Sequence, residues 1–232
     1  MIQKSGPLLF IPKPQITKNS YLKQIKPTRY LHLSWNVLVS DELTTELADR
    51  YIFKIIDPVH SRTNKFLVSR CGINLYPSPS PGVSFYRCGT TRNCITQLSE
   101  TGNASMAAFI ENESISPPQT YNGHPLVNVI LVPQAKFTDN PTLLGTTVTY
   151  GTTKNYSLYI WLTSHAMQKA NPWILAHEIG HALLTRKNKI PEHDVKDPSN
   201  LMHAPVPRFS DPLKVKLTPL QKKSFRNSPL LS

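Results

Sequence analysis

The sequence has little of what would classify it at a glance. Its three cysteines, Cys71, Cys88 and Cys94, are too few for a disulfide scaffold or a four-thiolate zinc site. Cys88 and Cys94 are near enough in sequence to close a small loop in an oxidising compartment, leaving Cys71 alone; three reduced thiols are the equal alternative. Glycine is scarce, 9 of 232 residues against 21 prolines, so the connections are fixed turns and extended stretches rather than flexible linkers. No run of about 18 apolar residues exists, which excludes a membrane-spanning helix. Residues 1–15 carry only a short apolar run broken by Pro7 and Pro12, without the length or cleavage site of a signal peptide. A cytoplasmic chain, a non-classically exported one, or one starting after a removed signal all fit, and secretion or non-classical export is the favoured expectation.

Acidic residues are missing from both ends. Residues 1–40 hold six Lys and Arg and no acid, and the chain after Asp211 is also acid-free. These arms carry much of the net charge of +12. Residues 1–29 read as a basic Pro/Lys-rich extension and 30–232 as one domain, with an upper part to about residue 184 and a lower part from about 185. The charge fits a nucleic-acid partner, an anionic surface or plain solubility. No helix-turn-helix, aromatic RNA-binding pattern or zinc finger accompanies it, so nucleic acid is not the favoured partner. The chain is expected to be a monomer.

Apolar residues are 39% of the chain, enough to bury a core. Alternation and β-formers predict strands over 30–40, 65–76, 82–88, 127–132, 144–150 and 156–162. Helices are predicted from Ser40 or Asp41 to about Ile56, from Asn171-Pro172 through Leu184, and from Thr218-Pro219 onward. The order is α+β: a mixed twisted sheet backed by helices, followed by a small irregular part with a final helix.

The chemistry sits in His177-Glu178-Ile179-Gly180-His181. Two His four apart on a helix share a face, their Cβ atoms about 5–6 Å apart, so both imidazoles can meet one Zn²⁺. Glu178 projects beside that ion without ligating it. A carboxylate there can accept a proton from a water whose pKa the metal lowers to about 7, and can then deliver it to a leaving amine. A catalytic zinc needs a third ligand and an open position. The candidates downstream are few, and no Glu follows Glu192. That argues against zincins with a late Glu ligand. His193 ranks first, Asp194 second and Glu192 third.

HEIGHALL, His193-Asp194 and then Asn200-Leu201-Met202 together resemble the metzincins, zinc endopeptidases with HExxHxxGxxH and a later Met-turn. The resemblance spans roughly residues 30–232 in element order and is specific only over 172–203. It implies a zincin fold, one catalytic Zn²⁺ held by His177, His181 and His193, Glu178 as general base and acid, and Met202 beneath the metal. It also implies that an edge strand containing Gly145, Thr146, Thr147 and Val148 binds a protein or peptide substrate as an added antiparallel strand. In the family, the turn Gly and third His fall where this chain has Leu184 and Lys187, as if about six residues were inserted before His193. No Tyr follows Met202; His203 stands in that neighbourhood as a candidate oxyanion helper.

Other residues have plainer readings. Arg70-Cys71-Gly72 resembles the cysteine switch of matrixin propeptides, but Cys71 falls in a predicted core strand. His32, His60, His124 and His165 lack ligand spacing, and Trp35, Trp161 and Trp173 read as core. The expected activity is zinc-dependent peptide-bond hydrolysis, with a toxin or effector role as its context. The alternatives are a basic HExxH protease acting on nucleic-acid-bound proteins and an inactive zincin-fold binding module.

Overall fold

The computed structural model describes residues 29–39, 44–77, 83–87, 120–133, 137, 142–151, 156–184 and 193–232. Most of the basic extension, Cys88, Cys94, Glu192, the spacer after Leu184 and the proposed helix start at Ser40 or Asp41 lie outside these residues.

The first strand, β1 (Arg29–Val39), alternates residues that are buried on both sides, as a central strand requires. Its chain then enters a long helical segment. Thr44 caps α1 (Thr45–Asp49), its hydroxyl accepting from the Leu47 amide at 3.2 Å. The helix continues through a π-helical stretch (Arg50–Ile56) into α2 (Asp57–Cys71). Pro58 explains the π turn: it has no N–H to give and its ring crowds the preceding turn, so the ladder widens before it.

This corrects the strand expected over 65–76. Val59, Thr63, Phe66, Leu67 and Cys71 form a helical stripe and are buried, and tertiary burial of that stripe overrides the local β-formers. Gly72, with φ of 67°, ends the helix in the left-handed conformation, its N–H reaching the Val68 carbonyl at 2.9 Å. The strand is only β2 (Ile73–Pro77). The first helix likewise runs past Ile56 instead of ending there.

β3 (Val83–Arg87), β5 (His124–Leu131), β6 (Gly145–Gly151) and β7 (Tyr156–Leu162) lie close to their expected positions. A two-residue strand, β4 (Thr120–Tyr121), pairs with the start of β5 through Asn122 and Gly123, both at positive φ. β2 and β3 pair in parallel with the first and second halves of β1, so two short strands share one place in the sheet. The order β2-β1-β5-β7-β6 follows, all parallel except β6, which closes one edge antiparallel to β7. The fold is therefore α+β around a mixed sheet. Among the described residues no helix is long and apolar enough to cross a membrane.

The main core fills the space between the sheet face carrying Leu33, Trp35, Val129 and Ile160 and the helical segments. Helix α3 (Ile174–Leu184) crosses this core, with every residue but His181 buried. Each large apolar side chain there contributes about 1.5–3 kcal/mol by leaving water, so the helix cannot rotate without losing several such contacts. Trp173, fully buried before α3, packs on Phe66 and donates its indole N–H to the Phe209 carbonyl at 2.6 Å. Trp35 and Trp161 are core as well. Asn171 does not cap α3: its side-chain amide donates to the His165 carbonyl, and Pro172-Trp173 form a turn before the helix begins. The last helix, α4 (Pro219–Arg226), starts at Thr218 in a reciprocal capping box with Gln221.

Candidate metal centre

His177 and His181 are one helical turn apart on α3, and their Nε2 atoms stand 3.0 Å apart. The third imidazole comes from His193 beyond the spacer. One ligand atom from each of the three lies within 4.8 Å of the others. The His177 and His193 rings stack, 5.4 Å between centroids and 14° between planes, while His181 stands edge-on to both.

The tautomer of His177 follows from its surroundings. Its Nδ1 lies 2.8 Å from the Leu201 carbonyl, which can only accept, so Nδ1 carries the proton and Nε2 presents a lone pair. Burial pushes the His177 imidazole down to about 4; the Leu201 carbonyl partly opposes that and His193 adds to it. Burial, then His177 and His193, push His181 down to about 3. At neutral pH both rings are therefore neutral and able to bind a cation. Three imidazoles with one ligand atom each at this separation can hold a metal ion, and His nitrogen is a donor suited to borderline-soft divalent cations.

The loop that delivers His193 is braced from three sides. Asp194 donates its backbone N–H to the Met202 carbonyl at 2.8 Å. Its carboxylate accepts from the backbone amides of Lys196 and Asp197 and from the side-chain amide of Asn200. Asp194 is thus occupied in holding the turn, and the three-His cluster does not include it. Asn200, 1% exposed, is the hub: its side-chain NH2 donates to Asp194 and to Gln221 of α4, and its side-chain oxygen accepts the Met202 amide. Met202 is fully buried and lies against Gly180, so close that a Cβ there would collide with its sulfur. The chain thus turns back under the site helix at Met202.

Glu178 points from α3 toward β6. It is 5% exposed, and burial raises its carboxyl to about 7, with the Thr147 hydroxyl opposing the rise. Thr147 donates to Glu178 Oε2 at 2.7 Å, with the Glu178 backbone carbonyl at 2.9 Å. Gly145 passes so near that a Cβ there would stand 3.1 Å from Glu178 Cγ. Gly145, Thr146, Thr147 and Val148 all lie on the edge strand, where Val148 is buried in a second apolar cluster with Tyr159 and Trp161.

His203 is half-buried and outside the three-His cluster; its Nδ1 contacts the Pro205 carbonyl at 2.9 Å. Cys71 lies buried at the end of α2, and burial pushes its thiol up to about 11. That makes it an inert core thiol. Reasoning from sequence passed over the Thr147 hydroxyl, the Leu201 carbonyl and Gln221. Strand alternation could have placed Gly145 and Thr147 on one face; nothing in a sequence marks a backbone carbonyl. No family model matches the chain, and a search of curated proteins gives no match either.

Proposed function

We propose that the protein is a zinc-dependent endopeptidase of metzincin-like architecture. The observation that carries this reading is the convergence of His177, His181 and His193 beside a buried Glu178 that does not join them. Met202 turning beneath Gly180 and an edge strand alongside the site helix also support it, since the metzincin resemblance implies a Met-turn under the metal and a substrate-binding edge strand.

Zinc held by the three imidazoles would supply Lewis acidity, acidifying a water and polarising a peptide carbonyl. The chain's own residues do the rest. Glu178, held off the metal by its place on α3, accepts the proton as attack proceeds and returns it to the leaving amine. Burial raises this carboxyl in the metal-free protein, and a bound cation would favour its ionised, proton-accepting form. The outer edge of β6 offers backbone N–H and C=O groups to an extended peptide, which would lie across Glu178.

Glu178→Ala in the zinc-loaded protein tests the reading. Cleavage of fluorescein-labelled casein is expected to fall at least a hundredfold with one zinc still bound. Full activity in that variant overturns the proposal.

A further inference from the structure

We propose that Thr147 is a positioning residue for Glu178, so that the strand expected to receive substrate also aims the carboxylate. This rests on the endopeptidase reading for its consequence, but the geometry stands without it.

Glu178 is nearly sealed from water, so solvent does not orient its carboxylate. Among the described residues, the hydrogen bond this carboxylate makes is the one from Thr147 at 2.7 Å. A hydroxyl has one proton, and the Glu178 backbone carbonyl competes for it at 2.9 Å. The ionised carboxylate is the stronger acceptor and holds it. With Oε2 so engaged, Oε1 is the oxygen the proposal assigns to proton transfer.

Two residues earlier on the same strand face, Gly145 fixes the stem. A Cβ there would meet Ile174 at 2.9 Å, Leu162 at 3.0 Å and Glu178 Cγ at 3.1 Å, so only glycine lets β6 approach α3 this closely. Val148 points to the opposite face, into the second core cluster, which fixes the register. Stem and tip of Glu178 are thus both set by β6. A slip of the strand by one residue would remove both contacts together.

The test compares zinc-loaded wild type with Thr147→Val, which keeps the shape without the hydroxyl, and Thr147→Ser, which keeps the hydroxyl. On labelled casein, kcat is expected to fall about 10–100-fold in the Val variant, the range for loss of a partner that orients a site group. KM and zinc content are expected to stay within about twofold of wild type, and Ser to restore kcat to within about threefold, because orientation and not binding is lost. Crystal structures of the same zinc-loaded proteins provide a readout free of activity: the Glu178 carboxylate is expected in one orientation in wild type and Ser, and in more than one in Val. If Val does not fold, Thr147→Ala gives the same comparison. The proposal is overturned if the carboxylate keeps its single orientation without the hydroxyl, or if Ser loses as much kcat as Val. If wild type itself cleaves nothing, the endopeptidase reading fails, and the carboxylate orientation alone decides the role of Thr147.

Discussion

Gly180 sits directly over the sulfur of Met202, with the Phe225 ring edge close by. The contact joins the site helix to the turn that follows His193, and it exists because position 180 has no side chain. Gly180→Ala improves helix propensity by up to about 1 kcal/mol. It also forces a methyl into fully buried Met202, an overpacking that costs about 1–3 kcal/mol. The net expectation is a lower thermal midpoint and weaker zinc binding, measured by thermal scans and chelator competition. Gly180→Ala combined with Met202→Ala should lose less than the sum of the two single losses, since the collision is removed and the added methyl fills part of the cavity.

The brace behind His193 predicts a difference between neighbours. His193→Ala removes one of the three clustered imidazoles. Asp194→Ala leaves two backbone amides and the Asn200 side chain without their acceptor, a loss of about 1–3 kcal/mol. Asp194→Ala should therefore still bind one zinc, about 10–100-fold more weakly. His193→Ala should lose zinc to a chelator that leaves the Asp194 variant loaded. The reverse order would make Asp194 the ligand.

Glu178 predicts a pH signature for the metal-free protein. Its folded pKa, raised to about 7 from the ordinary 4.5, means the folded state holds a proton that the unfolded state releases. The contribution is present below about 4.5 and lost as pH rises through 7, leaving up to roughly 1–3 kcal/mol of destabilisation at pH 8. Glu178→Gln should accordingly raise the thermal midpoint more at pH 8 than at pH 5. His177 and His181 act oppositely. Their pKa values are lowered to about 4 and about 3, so their contribution is present above 6.5 and lost as pH falls toward those values. Replacing either with Gln should blunt the acid-side loss of stability.

The structure also shows what a sequence can carry. Five of the predicted strands, α3 and α4 sit within a few residues of their expected places, because alternation, proline at first helical positions and the Thr218 cap are local signals. The pair His177 and His181 with Glu178 was legible for the same reason: helix spacing is a local rule. Residues 65–71 misled because a helix stripe rich in Phe, Leu, Val and Cys has the composition of a strand, and only packing against the sheet decides between them. Sequence ranks His193 ahead of Asp194 as third ligand without excluding Asp194, since both are competent donors one residue apart. What separates them is the loop geometry, in which the Asp194 carboxylate turns back to its own backbone and Asn200. Sequence places Thr147 only on a strand; its hydroxyl meets Glu178 of α3, 31 residues away.

The central claim is that one zinc, held by three imidazoles, makes Glu178 a peptidase base. Titrating the metal-free protein with zinc while following cleavage of labelled casein tests it most directly. Activity should rise linearly to one equivalent of zinc and then stop rising, with Glu178→Gln binding the same equivalent and remaining inactive. Cleavage that is unchanged by removing the metal, or an active Glu178→Gln, would contradict the account.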